Sequence, residues 1–286
     1  MSPGWTWVDS QEKMQEVREI LCRASIIAVD TEYDSFRYFR EILCLLQIRA
    51  GNTTYLFDPL GPLDFAPLGA VFADPGIVKV LHAGDNDIRI LRRDYGFEFK
   101  NLFDTSRAAS ILGCRFLSLV ALIHQYLGVA FEKQKKLQRS QWENRPLTEE
   151  QIEYAAWDTF YLIPLYEKLR EALREGGHAE DAEKAFGEIE RVVWQEKKLD
   201  PRGHTRVPGY YELTADEQQT LKLLYRWRFH KAQEINRAAF MILSDRDLIA
   251  LVKGTASSVS QRVMEDRLSP DKVNRYGREL LGIISG

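Results

Sequence analysis

Four carboxylates occupy three short, separated segments of the chain. Asp30 and Glu32 lie in IIAVDTEYDSF, Asp87 in VLHAGDNDIRIL and Asp158 in YAAWDTFYL, with Tyr154 one helical turn before Asp158. Hard divalent cations are held by oxygen ligands, chiefly carboxylates and substrate phosphate. A pair of such ions clamps the attacking and leaving oxygens of a phosphodiester. Each pattern also has an ordinary reading. D-x-E is a common solvated strand end. The Asp85-Asn86-Asp87 cluster sits where a helix needs capping, and Asp85 is the expected cap. His82 is expected as a hydrogen-bonded core histidine more than as a ligand. Tyr154 and Asp158 can be a buried ring and a surface acid, although Ala155 and Ala156 between them point to tight packing. An unpartnered carboxylate buried there would be costly, so it calls for a partner or a cation.

Positioning these groups requires strands that end at the acids and helices that start beside them. Residues 26–31 (IIAVDT) are a β-rich run in which Asp30 and Glu32 share one face and Thr31 takes the other. CLLQIRA and TTYLFDP read as a hairpin across Gly51-Asn52. Further strands are expected at 78–83 and 102–104, and helices at 10–22, 86–95, 105–112 and 117–126. Thr148 and Gln151 form a T-x-x-Q capping box that starts the helix carrying Tyr154 and Asp158 on one face. Strands first, then strands alternating with helices, argue for a mixed α/β sheet covered by helices. The composition turns polar near residue 173, and DPRGHTRVPGYY (200–211) has the turn residues of a linker. Everything after it reads as helix. Thr214 with Glu217, and Ser244 with Asp247, open helices, and Ser269-Pro270 opens the last, which Gly282 is expected to end.

The chain has 286 residues, 45% of them apolar, which suits one or two domains with a sizeable core. No run is long enough for a membrane span. The N-terminus MSPGWTWVDSQEK has neither the basic head nor the apolar core of a secretory signal. Cys22, Cys44 and Cys114 are odd in number and scattered in apolar surroundings, which favours free thiols in a reducing cytoplasm. The net charge of −3 lacks the basic balance of many nucleic-acid binders, yet it is uneven: residues 210–286 carry 12 basic and 10 acidic side chains. No G-x-S-x-G occurs and the histidines are isolated, so nothing supports a side-chain nucleophile.

Taken jointly and in order, D-x-E, H-A-x-x-x-D-I and Y-x-x-x-D resemble the DEDD exonuclease superfamily, in its tyrosine branch. The segments 103–113 (FDTSRAASILG), 117–129 (LSLVALIHQYLGV) and 140–169 (SQWENRPLTEEQIEYAAWDTFYLIPLYEKL) look like the ribonuclease D family. The resemblance covers about residues 5–170. It implies a ribonuclease H-like mixed sheet flanked by helices. It further implies two divalent ions, Mg²⁺ or Mn²⁺, held by Asp30, Glu32, Asp87 and Asp158, with Tyr154 orienting the attacking water. LTADEQQTLKLLYRWRFHKAQEINRAAFMILSDRDLIAL and VNRYGRELLGII resemble the HRDC domain, an all-α helical bundle with auxiliary nucleic-acid roles. The expected division is an exonuclease domain at 1–172, a helical or polar linker at 173–209 and an HRDC domain at 210–286. Trp227 could stack on a base, but its helical spacing favours a place in the core.

The implied activity is a 3′→5′ exoribonuclease that hydrolyses terminal phosphodiesters and releases nucleoside 5′-monophosphates, as in transfer-RNA 3′-end maturation. RNA with a single-stranded 3′ end is the expected partner, with DNA as the nearest alternative. No membrane and no obligate protein partner are implied. A binding module with a decayed site is the reading from another class. The chain departs from the family at Gln141, where an aspartate is usual, and in a longer loop, KQKKLQRSQW. Lys133, Lys135, Lys136 and Arg139 make that loop the most basic stretch, either contacting phosphates or simply solvated.

Overall fold

The computed structural model describes residues 3–130, 135–253, 264 and 266–284, leaving aside the side chain of Lys135. The described chain divides into two compact units. The first comprises residues 1–34 and 43–195, and the second residues 35–42 and 196–286.

The first unit is built on a six-stranded sheet. Its strands are β1 (Gly4–Val8), β2 (Ile26–Asp34), β3 (Ile42–Ala50), β4 (Thr53–Phe57), β5 (Val78–Leu81) and β6 (Leu102–Asp104). Their order is β1-β4-β3-β2-β5-β6. β3 and β4 pair antiparallel, whereas β1 with β4, β2 with β5 and β5 with β6 run parallel. The hairpin falls at Gly51-Asn52, with Ala50 opposite Thr53 and Gly51 at φ +54°. A two-residue turn with glycine first takes that conformation without steric cost. β1 is the strand the sequence conceals: GWTWV is short and three of its five residues are exposed.

Both faces of the sheet are covered, and β2 shows how. Ile27 and Val29 belong to one apolar core, together with Met14, Val17 and Leu21 of α1 (Gln11–Arg23) and Ile88 and Leu91 of α3 (Asp85–Tyr95); α2 (Gly69–Ala73) adds Val71 and Phe72. Ala28 belongs to the other core. That second core is formed with α4 (Thr105–Ile111), α5 (Leu119–Leu127), α8 (Leu162–Glu175) and α9 (Ala179–Ile189). A strand buried on both faces places successive side chains in different cores. Asp30 and Glu32 therefore continue the Ala28 row, and Thr31 continues the Val29 row.

α6 (Lys135–Gln138) is a single turn, and α7 (Glu149–Phe160) follows it. The α7 capping box is present with both reciprocal bonds, Gln151 N to Thr148 Oγ1 at 3.2 Å and Thr148 N to Gln151 Oε1 at 3.0 Å. Asp85 is not the cap of α3. Gly84 takes that position with no side-chain cap, and Asp85 lies one residue inside the helix, where Arg107 claims its carboxylate at 2.7 Å. A Cβ on Gly84 would meet the Leu81 side chain at 2.6 Å, so the turn from β5 into α3 needs glycine.

The second unit contains α10 (Ala215–Glu234), α11 (Ala239–Ile242), α12 (Asp245–Val252) and α13 (Pro270–Ile284). Capping boxes open α10 at Thr214 and Glu217, and α12 at Ser244 and Asp247. α13 runs through Gly282 rather than ending there. A glycine in a helix costs about 1 kcal/mol relative to alanine, and Tyr276 and Leu280 anchor this last stretch in the core. Trp227 packs against that core, edge-on to Tyr276, and donates from Nε1 to Glu279 at 2.7 Å. Residues 35–42 carry a member of the same core: Phe39 is only 5% exposed.

Candidate active site

Asp30, Glu32 and Asp158 converge. One carboxylate oxygen from each lies within 4.8 Å of the others, and Glu32 and Asp158 are buried. Two rules of local geometry bring them together. The pleat of β2 projects Asp30 and Glu32 on one face, and the α7 repeat puts Asp158 and Tyr154 on one stripe. α7 packs on β2 and β4. Its C-terminal half is tied to the sheet by a buried chain in which Arg49 Nη1 donates to Thr54 Oγ1 (3.2 Å), which lies 3.0 Å from Thr159 Oγ1. Its start is held by Arg145, whose guanidinium donates to Cys44 O (2.6 Å), Trp142 O (2.7 Å) and both oxygens of Asp58 (2.6 and 2.7 Å). Sequence reading missed both devices, because their partners lie about 100 residues apart and carry no local pattern.

Asp87 is not one of the three. It is buried in the first turn of α3, and its carboxylate accepts from the hydroxyl of Thr31, the residue between Asp30 and Glu32. Burial pushes its carboxyl up to about 6, and the Thr31 hydrogen bond opposes that shift. His82 Nδ1 is 2.9 Å from Thr105 Oγ1, whose own proton goes to Leu81 O at 3.1 Å, so the imidazole is the donor of the pair. The hydrogen bond is the one the sequence suggested, but the ring is half-buried rather than in the core. Tyr154 is buried, and its ring packs on Trp142 with centroids 5.9 Å apart. Of the basic loop, Lys136 and Arg139 are exposed, while Lys133 and the side chain of Lys135 lie outside the described residues. The loop reaches α7 through Ser140, whose hydroxyl accepts from Gln151 Nε2 at 3.0 Å, and Gln141 bonds Asn144 at 2.9 Å.

The chemistry of the donor set fits a hard divalent cation. Three carboxylates crowd one point, with no thiolate or imidazole in the group. Without a cation their like charges repel. The sequence profile of the 3′–5′ exonuclease family matches residues 5–174, more than half of the chain. A ribonuclease D from Cronobacter turicensis is 32% identical over 266 residues, covering 91% of this chain and 69% of that protein. The chain belongs to the ribonuclease D-like 3′–5′ exonuclease family. This family is divalent-metal dependent, and the acidic trio agrees with that dependence.

Within the family, the HRDC profile matches residues 217–284. The fold, a ribonuclease H-like mixed sheet flanked by helices plus a helical HRDC region, is that of the catalytic core of RRP6 from Trypanosoma brucei. That structure has a TM-score of 0.88 and 25% identity, with 100% of this chain and 82% of that one covered. Protein RRP6-like 3 from Arabidopsis thaliana is 38% identical over 176 residues, 61% of this chain. The chain spans only about a fifth of that relative's length.

Proposed function

We propose that the protein is a metal-dependent 3′→5′ exoribonuclease that removes nucleoside 5′-monophosphates from single-stranded RNA ends in the cytoplasm. The observation that carries this reading is the convergence of Asp30, Glu32 and Asp158, with Tyr154 on the same stripe of α7 as Asp158. Asp30, Glu32, Asp158 and Asp87 are the residues that would hold Mg²⁺ or Mn²⁺. When bound, the ions supply positive charge at both reacting oxygens of the phosphodiester and lower the pKa of water. The protein's own contribution is position. Thr31 orients Asp87 through its hydroxyl, and the Arg49–Thr54–Thr159 chain and Arg145 fix α7. A phenol with a pKa of about 10 is a poor base at neutral pH, so Tyr154 holds the attacking water by a hydrogen bond. Lys136 and Arg139 approach phosphates upstream of the cleaved bond. Transfer-RNA 3′ ends are the natural substrate class in this reading. The three free cysteines support a reducing compartment.

A digest of 5′-labelled RNA and matched DNA oligomers, with and without Mg²⁺, tests the proposal. A one-nucleotide ladder from the 3′ end of RNA, release of 5′-monophosphates and loss of activity in chelator are expected. Faster degradation of DNA would reassign the substrate. Binding without cleavage at any Mg²⁺ or Mn²⁺ concentration would reduce the protein to a binding module.

A further inference from the structure

The chain does something unusual between β2 and β3. It leaves β2 at Asp34, two residues after Glu32, and the next eight residues fold as part of the helical unit before the chain returns to β3. This is an anchored segment. Phe39 sits in the helical core, edge-on to Phe229 of α10 at 5.1 Å, with Lys197 Nζ 5.6 Å from its ring centre. Arg37 O accepts from Ala238 N at 2.9 Å. The Arg40 backbone N–H donates to Asn236 Oδ1 at 2.7 Å, and Arg40 Nε donates to Glu196 Oε1 at 2.9 Å. The guanidinium of Arg237 lies 5.0 Å from the Tyr38 ring centre, and Phe36 packs on Phe240 at 5.0 Å. Asn236 adopts φ +48°, a left-handed conformation that asparagine tolerates better than most residues, and presents its amide to the segment.

A strand end whose following loop is loose opens at little cost, whereas one whose loop is fixed by a core residue and backbone hydrogen bonds does not. The acids of β2 lie three and five residues before this fastened loop. We propose that Phe39, Arg40 and Asn236 are positioning residues for the nuclease site. The helical unit, acting through the covalent 35–42 segment, sets the end of β2 and so the placement of Asp30 and Glu32. The inference rests on the exonuclease reading. It gives the helical unit a part in turnover that is independent of any grip on RNA. A misplacement of about 1 Å at a reacting centre can cost on the order of a hundredfold in rate.

The test is steady-state hydrolysis of an RNA dinucleotide, a substrate with one phosphodiester and little else to bind, by four full-length variants. Phe39→Ala empties the anchor, and Phe39→Leu refills most of it. Asn236→Gly keeps the backbone conformation and removes only the amide, so it decides the matter if Phe39→Ala fails to fold. Leu251→Ala makes a comparable hole in the helical core at a residue 2% exposed on α12. The expected result is a kcat at least about tenfold lower for Phe39→Ala and clearly lower for Asn236→Gly. KM should be little changed, Phe39→Leu should recover, and Leu251→Ala should keep wild-type kcat despite a lower melting temperature. Wild-type kcat in both Phe39→Ala and Asn236→Gly, or an equal loss in Leu251→Ala, overturns the inference. An inactive wild type with Mg²⁺ would instead overturn the exonuclease reading, and this inference with it.

Discussion

Asp158 and Glu32 are buried carboxylates beside like charges, an arrangement that a cation between them would stabilise. Asp158→Asn and Glu32→Gln are each expected to lower turnover at least about a hundredfold, since a clamping ion supplies several kcal/mol of charge stabilisation. RNA retention on a filter should stay near wild type, and undiminished cleavage by either variant would remove that residue from the site. Tyr154→Phe keeps the ring on Trp142 and deletes only the hydroxyl. It should cut kcat roughly ten- to a thousandfold, the range for one positioned hydrogen-bonding group, with an unchanged melting temperature; a merely packing tyrosine would leave the rate intact. Away from the site, burial pushes the Lys79 ammonium down to about 8, although it donates to Asp74 O (2.7 Å) and Ile77 O (2.9 Å). In the unfolded chain a lysine titrates near ~10.4. Between those values the unfolded state holds a proton that the folded state has released, so stability rises with pH across the window and is flat below it. Unfolding free energies of wild type and Lys79→Met, compared from pH 7 to pH 10, should diverge only above about 8.

At the scale of elements, what was legible was what is local. The Thr148, Thr214 and Ser244 capping boxes, the Gly51-Asn52 hairpin and the stripe of Tyr154 and Asp158 each rest on residues within four positions of one another. Edge strand β1 was not legible, because Trp5 and Thr6 face water and its partner β4 lies some fifty residues on. Nor was the Asp87–Thr31 contact, which joins two segments whose separate signals were both read. Arg145 shows the same limit. Nothing in ENRPLT announces that its guanidinium gathers β3, Asp58 and the entrance to α7. Arg145→Ala should destabilise by about 2 kcal/mol, as hydrogen bonds from a charged group to half-buried partners are lost, and should lower kcat with little effect on KM. Arg145→Lys should not rescue either property, because one ammonium cannot reproduce the planar fork. Equal melting curves for the wild type and Arg145→Ala would show that α7 is fixed without it.

For the molecule as a whole, attraction to RNA must come from patches, since the net charge is −3. If Lys136 and Arg139 each contact a phosphate, replacing either by alanine should flatten the dependence of log affinity on log salt by about 0.7 for single-stranded RNA. Titrations between 50 and 200 mM salt (about this range suffices) check it, and an unchanged slope would make the loop a solvated surface. The order of parts along the gene, read as a sequence, suggests one domain after another. The folded chain is interleaved instead, since Phe39 belongs to a core completed by residues beyond 196. That interleaving sets a clock during synthesis. At ~5–20 residues per second, the ribosome needs roughly 8–30 s to travel from residue 42 to residue 196. Through that interval Phe36 and Phe39 are hydrophobic side chains without their eventual surroundings, on a nascent chain whose sheet can already form. Ribosome-bound chains stalled before residue 196 should therefore recruit hydrophobic-segment chaperones at this stretch, and chains with Phe36 and Phe39 changed to serine should recruit them less. Equal recruitment by both would mean that the sheet shelters the segment on its own while the chain waits for its second half.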